Sequence, residues 1–74
     1  MTWGETVDTA AVQSGLEYAK NRLVFYFRDR PTEELIEAQA AYMAIFVTQG
    51  IDNALGMAEY LGYMINQREK GATA

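Results

Sequence analysis

The residues of this chain best able to do chemistry are carboxylates. Glu33, Glu34 and Glu37 read E-E-x-x-E, which on a helix sets Glu33 and Glu37 on one face, one turn apart. Magnesium accepts oxygen ligands of that kind. Residue types exclude most other chemistry. With no histidine and no cysteine, the chain lacks the commonest general base, the thiol nucleophile and the usual zinc ligands. Ser14 is the single serine and has no imidazole to activate it, so a hydrolytic triad is excluded within the chain. The glycines form no G-x-G-x-x-G phosphate loop.

The E-E-x-x-E spacing resembles the first half of the metal motif in all-α nucleoside-triphosphate pyrophosphatases of the MazG type. That resemblance implies a second acidic pair, E-x-x-D, on the next helix. Glu59 is followed three residues later by Gly62, so the second half is missing. Carboxylates in a first helical turn are in any case favoured by the helix dipole. The expectation is no metal, no cofactor and no enzymatic activity, with a magnesium-dependent nucleotide pyrophosphohydrolase as the remote alternative.

Three helices position these residues, at about 5–29, 32–49 and 52–70, with 71–74 as a tail. Thr2 and Glu5 match a capping box, with Thr6 and Asp8 as later starts for the first helix. Pro31 breaks it. Residues 23–27 also suit a strand by propensity, but no second such run exists to pair with them. Thr32 is the expected N-cap of the second helix. Gly50 ends that helix, with Ile51 folding back on Phe46 in a Schellman motif. Asp52 is the expected cap of the third helix, and Gly71 closes it.

The faces carry the strongest signal. On the second helix Leu35, Ala38, Tyr42, Ile45 and Phe46 form one apolar stripe. Ile36, Ala40, Met43 and Val47 form another beside it. Together they cover roughly 220°, about twice what a surface helix needs. On the first helix Val12, Leu16, Ala19, Leu23 and Phe27 line one side, with Tyr26 at the margin. Val7, Ala11, Tyr18 and Phe25 line the far side. On the third, Ala54, Met57, Ala58, Leu61, Met64 and Ile65 make a single stripe. Gly56 and Gly62 there each cost about 1 kcal/mol relative to alanine, a cost tolerated where another backbone comes close.

At 74 residues, 50% of them hydrophobic, the chain is one ordered domain (1–74) near the lower limit for a self-sufficient core. No disulfide can staple it, and association is a remaining route to stability. The fold expected is an all-α three-helix bundle, paired as an intertwined or face-to-face homodimer. The dimer-interface candidates are Val7, Ala11, Tyr18, Phe25, Ile36, Met43 and Val47. The net charge of −4 speaks against nucleic acid. No basic residue occurs from Pro31 to Gln67, while Lys20, Arg22, Arg28 and Arg30 cluster just before. The basic end of the first helix is expected to pair with the acidic start of the second, and Arg22 to stack on Tyr18 or Tyr26.

Glu33, Glu34 and Glu37, with Tyr60 and Tyr63 on the polar side of the third helix, are the candidates for contacting a partner protein. Trp3 is expected to plug one end of the bundle. No apolar run reaches membrane-spanning length, and Met1 to Gly15 lacks the features of a signal peptide, so a cytoplasmic location is expected. In size and composition the chain is similar to small acidic helical inhibitors encoded by phages and mobile elements, which occlude larger host proteins. A protein-binding inhibitor or adaptor is the leading expectation, and a self-assembling structural subunit the alternative.

Overall fold

Two helix-breaking residues divide the chain. Pro31 has no N–H to give a helix interior, and Gly50 adopts a left-handed φ of 67°, which a Cβ disfavours. The computed structural model describes residues 8–73. Helix α1 is continuous over 9–27: an α-helical segment Thr9–Tyr18, a π-helical turn Ala19–Leu23 and a last α-helical segment Val24–Phe27. Helix α2 spans Thr32–Gln49 and helix α3 spans Asp52–Thr73. The expected three-helix all-α fold is therefore observed, and among the described residues there is no strand. Among the described residues no helix is long and apolar enough to cross a membrane.

Several end signals act differently from expectation. Thr2, Trp3, Glu5 and Thr6 lie outside the described residues; Asp8 caps α1, its carboxylate accepting the N–H groups of Ala10 (3.0 Å) and Ala11 (3.3 Å). Pro31, in extended conformation, occupies the N-cap of α2, and Thr32 is already helical. Proline's fixed φ is compatible with that position, and a capping side chain is then lost. The N–H of Gly50 meets the Phe46 carbonyl at 3.0 Å, the simpler left-handed closure, and Ile51 stays exposed rather than folding back. Gly71 does not end α3, which runs on to Thr73; without a positive φ a glycine merely weakens a helix.

Short turns at 28–31 and 50–51 make sequence neighbours antiparallel, so α1 and α3 run parallel. At one end of the pair Asp52 Oδ2 accepts the Asp8 N–H at 2.8 Å. Asp52, expected to cap α3, thus tethers the start of α1. At the other end Arg68 reaches the last carbonyls of α1. Between these ties the two backbones nearly touch. A Cβ on Gly15 would overlap the Asn53 carbonyl, and one on Gly56 would overlap that of Val12. The cost of Gly56 thus has its reason, and Gly15 is its counterpart. Gly62 is filled differently. Gln39 lays its side chain over it, donating Nε2–H to the Ala58 carbonyl at 3.2 Å.

Helix α3 lies against both other helices and carries the core. Ala19, Leu23 and Phe27 from α1, Leu35 from α2, and Leu61 and Ile65 from α3 form its centre. Ala38, Tyr42, Met57 and Met64 pack against it. Leu35 and Leu61 are fully buried. The molecule measures 42 × 22 × 19 Å, about two helix diameters across its short dimensions. So thin a body can shield only one stripe per helix.

Candidate functional site

The two stripes of α2 have different fates. Leu35 and Phe46 are buried, and Ala38, Tyr42 and Ile45 half-buried, so the first is core. The second faces water: Ile36 is 51% exposed, Met43 38% and Val47 58%, with Ala40 between them. Their spacing of four, three and four residues is that of a coiled-coil seam, which a partner helix can fill. No charged residue occurs from Ala38 to Ile51. Glu33 and Glu37 flank the upstream end, both exposed. Glu34 is turned to its own chain, meeting Arg30 at 3.6 Å, which realises the expected pairing of the two helix ends.

The stripe expected on α1 is broken. Val7 lies outside the described residues, Ala11 is half-buried, and Tyr18 and Phe25 are exposed. They share a face only if the helix keeps about 100° per residue. The π-helical turn lies between Tyr18 and Phe25 and advances the chain by less angle per residue, an i→i+5 turn being wider than an α-turn. Phe25 is thereby rotated out of line with Tyr18.

The same turn creates an alignment that regular periodicity hides. Leu16, Lys20, Val24 and Arg28 recur every four residues and in an α-helix would drift around it by about 40° per step. In this molecule they form one wall of a groove between α1 and α3. Tyr60 and Tyr63 line both halves of that groove, a depression of about 430 Å³ toward Leu16 and one of about 280 Å³ toward Arg28. Their rings are 5.7 Å apart and tilted by 32°. Tyr60, expected on a polar face, is half-buried against the core, while Tyr63 is 55% exposed. Glu59 and Gln67 edge the groove on the α3 side.

No protein-family model matches this chain, and neither does any curated protein or solved structure. The surfaces must therefore be read from their own chemistry. Among the described residues no three acidic, histidine or cysteine side chains are grouped to hold a metal ion. Among the described residues the Tyr42 phenol is shifted clearly from its ordinary behaviour. Burial, and then the neighbouring Tyr18, raise its phenol above the usual 10.0, a consequence of core packing.

The basic cluster 20–30 does not stay together. Arg30 stacks on Tyr26 with its guanidinium carbon 4.9 Å from the ring centre, taking the place expected of Arg22. Tyr26, expected at the core margin, is 59% exposed and meets Phe27 edge-on at 4.8 Å. Arg28 lies 5.8 Å from the Phe25 ring; of this cluster Lys20 and Arg28 line the groove, with Arg68 of α3 beside Arg28.

Sequence reasoning missed Gly15, Arg68 and the groove. Gly15 had a findable signal, since it shares a face with Ala19 and Ala11 at small-residue spacing. Arg68 had none, because its targets are carbonyls about forty positions away in sequence.

Proposed function

We propose that this protein is a non-enzymatic protein-binding module whose recognition surface is the outer face of α2. The observation that carries this reading is the exposed stripe Ile36, Ala40, Met43 and Val47, with coiled-coil spacing and no charge from Ala38 to Ile51. Contiguous apolar surface of that kind on a small protein marks an interaction site. Glu33 and Glu37 at its rim add orientation by charge, since rim charges steer more than they bind. A module of this size can act as an inhibitor or adaptor, covering part of a larger protein.

A photo-crosslinking residue at Met43 tests the reading, with one at exposed Ser14 as the control. The expected outcome is a product from Met43 alone that unlabelled wild type competes away and the Met43→Asp/Val47→Asp variant does not. Equal labelling from Ser14, or equal competition by both proteins, would sink it.

The second reading is self-assembly. It is favoured by a groove on the same chain whose α1 wall carries Lys20 and Arg28, opposite in charge to the α2 rim, with Glu59 on its α3 edge.

A further inference from the structure

The outer face of α2 and the α1 wall of the groove are complementary in chemistry. Lys20 and Arg28 stand on one groove wall with Val24 between them, above the Tyr60–Tyr63 pair. Neither cation meets a carboxylate among the described residues. Arg68, the third cation near the groove, is spent on the carbonyls closing α1. A ligand for this surface is long, apolar along its middle, and acidic on one flank. Helix α2 has that character.

We infer that the α1–α3 groove receives the outer face of α2 from a second copy of this chain, with Glu33 and Glu37 of that copy opposite Arg28 and Lys20. The inference rests on the reading of α2 as a protein-binding face and names its occupant. Polarity follows from helix arithmetic. Lys20 and Arg28 are about 12 Å apart along the axis and Glu33 and Glu37 about 6 Å, a difference that the long basic side chains span. With the incoming helix antiparallel to α1, Glu33 meets Arg28 and the stripe runs down over Val24, Tyr63 and Tyr60. The parallel orientation carries Met43 and Val47 past the end of α1 and leaves them uncovered. Antiparallel packing also opposes the incoming helix dipole to those of α1 and α3.

Pairing α2 with α2 of a second copy is the competing arrangement. Run antiparallel, it sets Glu33 and Glu37 beside the C-terminal turn of the facing helix, the negative end of its dipole, as docking on α1 also does for Glu33 at Arg28. No cation between Pro31 and Gln67 offsets that. Run parallel, it sets carboxylate against carboxylate. The groove offers Lys20 and Arg28 on its α1 wall against one carboxylate, Glu59, on its α3 edge, and charge complementarity with the α1 wall decides for it.

Two variants of the full chain test this. Lys20→Glu/Arg28→Glu reverses the groove wall, and Met43→Asp/Val47→Asp spoils the α2 stripe. All four positions are exposed or nearly so, and circular dichroism is expected to show unchanged helix content. By light scattering over about a hundredfold dilution from high micromolar concentration, the wild type is expected to self-associate. Each variant alone is expected to be weaker by at least about tenfold. An equimolar mixture is expected to regain association, because it contains one intact groove and one intact α2. Adding Glu33→Lys/Glu37→Lys to the groove variant is expected to restore it as well.

A wild type that stays monomeric overturns the inference and leaves α2 as a face for a larger protein. A groove variant that associates like wild type overturns it in favour of α2–α2 pairing, and a mixture that regains nothing overturns it because no intact groove then receives an intact α2. An α2 variant that associates like wild type overturns both the inference and the reading beneath it.

Discussion

Arg68 ties α3 to the end of α1. Its guanidinium donates to the carbonyls of Phe27 (2.8 Å), Arg28 (3.1 Å) and Arg30, and to the Thr32 hydroxyl at 3.4 Å. It thus adds donors to the carbonyls at the end of α1, of which that of Phe27 also accepts the Arg30 N–H at 3.1 Å, and places positive charge at the negative end of the dipole. Hydrogen bonds to charged groups contribute about 1.5–3 kcal/mol. Arg68→Ala is expected to lower the unfolding free energy in urea by about 2 kcal/mol, and Arg68→Lys to recover only part, since one ammonium cannot reproduce the planar fork. Tyr42 gives a pH signature. Its phenol is harder to ionise folded than unfolded, so its contribution is whole below pH 10 and is lost as pH rises through the higher folded value. Denaturation followed between pH 9 and 12 is expected to show stability falling above about 10, and falling less steeply in Tyr42→Phe.

The helices are joined by backbone proximity as much as by side-chain burial. Gly15 and Gly56 let α1 and α3 approach until carbonyl and Cα nearly touch. Gly15→Ala and Gly56→Ala must force the helices apart, and each is expected to destabilise by at least about 2 kcal/mol, within the range for overpacked cores. Gly71 is the internal control. It is helical, faces open space and has no positive φ. Gly71→Ala is expected to stabilise by up to about 1 kcal/mol. Were all three substitutions equally harmful in thermal unfolding, the close approach of α1 and α3 would not be their cause. The π-helical turn works through rotation: it returns Leu23 and Phe27 to the core line begun by Ala19, and carries Phe25 away from Tyr18.

Taken together, the three helices bury one stripe each and leave a fourth apolar surface on α2. Its substitution is expected to leave the isolated fold intact. Met43→Asp and Val47→Asp remove partly exposed side chains and should change unfolding free energy by no more than about 0.5 kcal/mol at concentrations where the chain is monomeric. At higher concentration the wild type alone is expected to gain thermal stability with concentration, because association favours the folded form by mass action. Calorimetry of wild type and variant at two concentrations separates these terms.

Helix number, the breaks at Pro31 and Gly50, and the division of α2 into two stripes are legible in the sequence, because local sterics and hydrophobic period determine them. The surplus of apolar surface is legible too, since it follows from counting faces against partners. Tertiary structure alone decided which stripe is core, because α3 can cover only one flank of α2. It decided that Phe25 is out of line with Tyr18, because a π-helical turn within α1 changes the angular register of every later residue. The groove with Tyr60 and Tyr63, Lys20 and Arg28 exists only once α1 and α3 lie parallel. That arrangement is set by contacts between residues some forty positions apart, which leave no periodic trace in the chain.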